Sequence, residues 1–151
     1  MEQQTDPRAA AAQAIRDLRA APVPPYEEGK PAGRVVAVPG RRSGEPRPFG
    51  INVTMLDGRL YLCSAIRGRD WVRNLDAAGA CSVERDAPDG TDARYTATLV
   101  EGLEAARVLA AYLPQTGYAD PELPFALDAT VEEIVPHTAS TTVFRLDPVP
   151  A

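Results

Sequence analysis

The sequence contains one histidine, His137, and two cysteines, Cys63 and Cys81. A lone histidine denies a His-ligated zinc site its partners and leaves a nucleophile–histidine apparatus a single candidate base. His137 sits in VPHTAST ahead of a closing strand, where a structural or exposed role is favoured over catalysis. The two cysteines are too few for a disulfide scaffold and lack metal-ligand spacing. No apolar run approaches the ~20 residues of a membrane helix. The N-terminus, MEQQTDPRAAAAQAIRDLRAA, begins acidic and lacks the continuous apolar core of a secretory signal. These absences predict a reduced, cytoplasmic enzyme or binding protein without a metal.

What is present is enough for one domain: 151 residues, 44% of them hydrophobic, with a raised count of 15 prolines that implies ordered turns and a stiff segment. The net charge is −5, but it is unevenly placed. Residues 30–74 carry nine basic and three acidic groups, a net of +6. The segments on either side are both acidic. A nucleic-acid binder is usually basic overall, with aromatics among its cations. A local basic region in an acidic chain instead suits a compact anionic ligand such as a phosphorylated cofactor, and argues against nucleic acid as a partner.

Residues 9–20 favour helix, with Ile15 and Leu18 forming a thin apolar edge, and PVPPY ends it. RVVAVP (34–39) and RPFGINVTML (47–56) carry strand signals, the latter alternating Ile51, Val53 and Met55 with Asn52, Thr54 and Leu56. Asp57-Gly58 is a two-residue hairpin turn, from which RLYLCSAI (59–66) returns antiparallel. In RDWVRNLDAAG (69–79) the period becomes helical: Asp70 is placed to cap, Trp71 and Leu75 share a face, and Gly79 closes. ACSVER (80–85) and ARYTATLVE (93–101) read as strands. GLEAARVLAAYL (102–113) reads as an amphipathic helix using Leu103, Ala106, Val108, Leu109 and Leu113. PQTGYADPELPF reads as loop, EEI as a helical fragment, and TTVFRL (141–146) as the last strand. Five or six mostly antiparallel strands with short helices suit a small barrel, α+β in class, better than a doubly wound sheet. Residues 1–25 form a helix and proline-rich lead-in, and residues 26–151 a single barrel domain.

The stretch GRRSGEPR (40–47) concentrates three arginines on a bend. Its glycines free backbone amides, Ser43 offers a hydroxyl, and Arg41, Arg42 and Arg47 supply planar bidentate donors for phosphate or carboxylate. It is not a P-loop, because the GxxxxGK[ST] spacing is absent. By itself the stretch reads equally well as a solvated turn; Arg67 and Arg73 nearby strengthen the anion reading. Trp71 packs, Asn74 lies three residues on, and Ser64 and Ala65 end a strand where small side chains let a flat ring approach. Cys63 is expected to face the core, without a base to activate it.

GRRSGEPR, the strand pair through DGRLYLCSA, and RGRDWVRNL followed by AAG together resemble the deazaflavin-dependent nitroreductase family, which uses coenzyme F-420. The ending HTASTTVFRL is similar to that family's closing strand. The resemblance runs from about Val35 to Val100 and more weakly to Leu146. It implies a split β-barrel of the flavin- and deazaflavin-binding type. Arg41, Arg42, Ser43, Gly44 and Arg47 would then hold the coenzyme's phosphate and oligoglutamate tail. Phe49, Gly50 and Ile51 would lie along the ring, Ser64, Ala65, Ile66 and Arg67 on its other edge, and Trp71 and Asn74 would complete the pocket. Lysine is common in the family where this chain has Arg42. Ile66-Arg67-Gly68 replaces a Lys-Gly-Gly-like loop.

The implied activity is hydride transfer from reduced F-420 to an electron-poor enone, quinone or nitro compound. Tyr118, or secondarily Tyr112, would be the proton donor or substrate hydrogen-bonding group. Flavin mononucleotide is the second choice of cofactor. A barrel repurposed for non-redox cyclisation or isomerisation, and a non-catalytic deazaflavin-binding protein, are the alternative readings. A small-molecule substrate and a monomer or homodimer are expected.

Overall fold

The computed structural model describes residues 6–64, 67–116 and 123–150. Six strands close a barrel: β1 (Pro31–Pro39), β2 (Pro46–Leu56), β3 (Arg59–Ser64), β4 (Ala80–Val83), β5 (Ala93–Val100) and β6 (Thr142–Pro148). Around it stand α1 (Pro7–Ala20), α2 (Asp70–Ala78), α3 (Gly102–Thr116) and the short α4 (Val131–Ile134). The order around the barrel is β1-β2-β3-β6-β5-β4, returning to β1, and every neighbouring pair is antiparallel. This is the mainly β, α+β split-barrel architecture the sequence implied. Among the described residues no helix is long and apolar enough to cross a membrane.

The strands alternate between two cores, as their period of two requires. Val36, Val38, Val53, Leu62 and Phe144 point into the barrel, where Val72 and Leu75 of α2 join them. Tyr61, Cys63 and Val143, from the alternate positions, point outward beneath α3, whose Ala105, Ala106, Val108, Leu109 and Leu113 cover them. Cys63 is therefore buried, and burial pushes its thiol pKa up. Leu103, expected on the apolar face of α3, is instead 62% exposed. It lies one residue after Gly102, whose φ of +72° starts the helix, so its side chain is swung off the buried stripe that Ala105 and Ala106 begin.

Other local rules hold at single residues. Asp57 (φ +53°) and Gly58 (φ +74°) make the left-handed pair of the predicted hairpin, joining Met55↔Leu60 and Leu56↔Arg59 in register. Gly79 ends α2 in the left-handed conformation with its N–H on Leu75 O at 2.8 Å. Asp70, by contrast, is not the cap. Arg69 holds the cap position, its side chain making no capping bond to the helix backbone, and Asp70 is the first helical residue. α1 has no buried residue, but Leu18 lies over two strand glycines: a Cβ at Gly33 or Gly50 would come within 2.9 or 2.8 Å of it.

The barrel seam is thin. β1 and β4 pair only at Val36↔Val83 and Ala37↔Ser82. Beside this seam a buried polar cluster bonds distant segments together. The Asp86 carboxylate accepts from Arg34 Nε at 3.0 Å, from the Tyr26 hydroxyl at 2.8 Å and from the Tyr95 hydroxyl. Arg34 also donates to Gly33 O and Pro24 O and lies 4.3 Å over the Tyr26 ring.

Candidate cofactor-binding site

The nine register pairs from Pro31↔Thr54 to Pro39↔Pro46 leave residues 40–45 as the connection at one end of the β1–β2 ribbon. The turn closes on itself: Gly40 N–H donates to Glu45 O at 2.9 Å, and Gly44 N–H to Gly40 O at 2.8 Å. Gly44 has φ +73°, a conformation in which other residues are strained. A Cβ on Gly40 would lie 2.9 Å from Ser43 Oγ and 3.1 Å from Arg47 Nε. Glycine there lets the turn fold tightly against Arg47. Ser43 Oγ accepts from Glu45 N–H at 3.2 Å.

Helix α2 stands against this turn. The Asn74 side chain is buried at its edge, and Oδ1 accepts both Arg41 N–H (3.1 Å) and Arg41 Nη1 (2.9 Å). Trp71, one helical turn earlier, stacks on Phe49 of β2 with centroids 5.3 Å apart and planes at 25°. It also meets Phe144 of the barrel core at 6.2 Å. Between turn and helix lies a cavity of about 320 Å³, lined by Arg41, Arg42, Arg47, Phe49, Trp71 and Asn74 together with Asp70 and Pro48. Arg42 and Arg47 are exposed and make no hydrogen bond or ion pair with the described residues. Two guanidinium groups with no partner among the described residues, beside a stacked aromatic wall, can bind a ligand that is flat at one end and anionic at the other.

Six of the expected cofactor residues are thus brought together. Ser43 and Gly44 shape the turn beside them. Gly50 and Ile51 diverge, because adjacent strand residues face opposite sides: Ile51 packs on the barrel core, and Gly50 faces Leu18 of α1. Ser64 is buried at the end of β3 opposite Thr142. Arg67 lies across α2 at a separate cavity of about 370 Å³, with Arg73, Asp76 and Leu99. Its guanidinium is engaged with Thr138 O and Thr141 O at 3.0 Å and with Glu101 at 2.9 Å. Ala65, Ile66 and Tyr118 lie outside the described residues. Tyr112 packs against the cluster under α3, and burial pushes its phenol up to about 12. His137 meets the Phe125 ring in a tilted contact at 5.8 Å, away from the cavity.

The sequence places Asp70 only as a helix cap; the structure adds it to the cavity lining. Its spacing of four from Asn74 was the available signal, since residues four apart share a helix face. The Arg34–Asp86 pair left no sequence signal, because its partners come together only through barrel closure.

No protein-family model matches the chain, and no curated protein matches it. Solved structures do share its fold. A candidate 5-nitroimidazole antibiotic resistance protein of Bacteroides thetaiotaomicron aligns at 12% identity and a TM-score of 0.52, over 91% of this chain and 80% of that one. A heme storage protein of Vibrio cholerae aligns at 16% identity and a TM-score of 0.50, over 79% and 82%. An F-420 reductase aligns at 18% identity and a TM-score of 0.48, over 86% and 97%. At these identities the likeness concerns barrel architecture alone.

Proposed function

We propose that the chain is a reductase that holds reduced coenzyme F-420 in the cavity between the 40–45 turn and α2, and reduces an electron-poor enone, quinone or nitro compound. The observation that carries this reading is that Arg42 and Arg47, beside the Phe49–Trp71 stack, have no hydrogen-bond or ion-pair partner among the described residues. Planar guanidinium donors suit the phosphate and carboxylates of the coenzyme tail, and the aromatic wall suits a flat ring. A heme would need a histidine, cysteine, methionine or tyrosine as axial ligand, and none lines the described part of this cavity.

When bound, the deazaflavin supplies a two-electron hydride donor. The chain supplies position and charge. Arg42 and Arg47 hold the anionic tail, with Ser43 and Gly44 shaping the turn that carries them. Asn74 fixes Arg41 and so fixes the turn. Trp71 and Phe49 set the plane of the ring and keep water from one side of it. Arg67, at the separate cavity across α2, anchors its own turn to Thr138 and Thr141 and does not line this cavity. Tyr118 is proposed to give the proton that completes reduction of the substrate after hydride addition; Tyr112, packed under α3, does not line the cavity.

The test is parallel titration of the protein with F-420 and flavin mononucleotide, read by quenching of Trp71, the chain's single tryptophan. F-420 should bind more tightly. Tight binding of neither would remove the reading, and tighter binding of flavin mononucleotide would change the cofactor.

A further inference from the structure

Three arginines reach the cavity, but they are not equivalent. Arg41 is held along both ends of its guanidinium: Nη1 donates to Asn74 Oδ1 at 2.9 Å, and Nη2 lies 3.6 Å from Asp70 Oδ1. Its main-chain N–H is fixed on Asn74 as well. Arg42 and Arg47 have no such partners among the described residues. Asp70 and Asn74 are four apart on α2, so one helix face presents both acceptors to the same arginine. The Asp70 side chain is 88% exposed and the Arg41 side chain 30%. A carboxylate in water at 3.6 Å forms a weak pair, yet its charge still acts on any anion that enters the cavity.

We propose that Asp70 is a specificity-determining residue of the cavity, an exposed carboxylate whose charge beside Arg41 biases anion binding toward Arg42 and Arg47. The proposal rests on the reading of the cavity as an anion site and adds which part of it takes the anion. With Asp70 in place, a phosphate approaching Arg41 meets a carboxylate on the same guanidinium. The open guanidinium groups of Arg42 and Arg47 are the better partners. The cavity then has a direction: charge is accepted at the Arg42–Arg47 end and repelled at the start of α2. A ligand with its anionic groups confined to one end is favoured over one charged along its length.

The experiment titrates the full chain and its Asp70→Asn, Asp70→Glu, Arg47→Ala and Asp70→Asn/Arg47→Ala variants with inorganic pyrophosphate, by calorimetry at low and moderate salt. Asp70→Asn keeps the shape and removes the charge, and should bind roughly three- to fivefold more tightly at low salt. The gain should shrink as salt rises. Asp70→Glu should behave like the native chain. The double variant should recover part of the affinity lost in Arg47→Ala, because Arg41 becomes available. Native binding with no gain in Asp70→Asn, or an equal gain in Asp70→Glu, would overturn the role of Asp70. Absence of pyrophosphate binding in every variant would overturn the anion site itself.

Discussion

Replacing Asp86 by alanine tests the seam of the barrel on which the site is built. The Asp86 side chain is 2% exposed and that of Arg34 is 4%. The substitution leaves a buried guanidinium without its counter-charge and two phenols, Tyr26 and Tyr95, without their acceptor. Removing one member of a buried ion pair costs about 3–5 kcal/mol. Arg34 keeps its bonds to Gly33 O at 2.9 Å and Pro24 O at 2.6 Å and its place over Tyr26. That retained bonding argues for the lower part of the range, about 3 kcal/mol. Tyr95→Phe deletes one donor and leaves the charges paired, so about 1–2 kcal/mol is expected. For a chain of this length the alanine variant should melt roughly 6–12 °C lower. Urea unfolding followed by Trp71 fluorescence and far-ultraviolet circular dichroism measures both losses, with the slope unchanged if unfolding stays two-state. A loss below about 1 kcal/mol for Asp86→Ala would refute the claim that this cluster closes the seam.

Asn74→Ala removes both acceptor contacts to Arg41 and should weaken F-420 binding about tenfold; unchanged affinity in the titration would deny Asn74 its positioning role. Tyr118→Phe should slow turnover while leaving coenzyme affinity nearly unchanged, and a large affinity loss with normal turnover would remove Tyr118 as proton donor. The alkaline limit of stability should follow the buried phenols and thiols. Burial, then the bonds to Asp86, raise the Tyr26 and Tyr95 pKa values, and burial pushes Cys81 up to about 12. These groups bind protons more tightly folded than unfolded, so their contribution is complete below their unfolded values of about 8.5 for thiols and 10 for phenols. It is lost as pH climbs toward the folded values. The urea midpoint should be level from pH 7 to about 8.5 and fall steadily above about 9; a level midpoint through pH 10.5 would contradict it.

Much of the barrel was legible because short-range rules decide it. The left-handed pair Asp57-Gly58 sets one hairpin, Gly79 stops α2, and alternation along β2 puts Val53 inside and Asn52 on the opposite face. Long-range partners were not legible. Arg34 counts as surface charge in the sequence, yet it sits at an inward position of β1 and is neutralised by Asp86, 52 residues away. Arg67 has the same history, since its carbonyl partners lie at 138 and 141. The arginines of the turn were legible as a group. Their division into one held by Asn74 and two left open depends on where α2 docks, which no local pattern specifies.

The measurement closest to the central claim is the affinity of F-420 for the native chain and for the Arg42→Ala/Arg47→Ala variant across a range of salt. Arginine contacts to a phosphate-and-carboxylate tail predict tight native binding that weakens with salt. The double variant should bind at least about a hundredfold more weakly, with a flatter salt dependence. Equal affinity and equal salt dependence in the two proteins would contradict the claim that the 40–47 turn holds the coenzyme's tail.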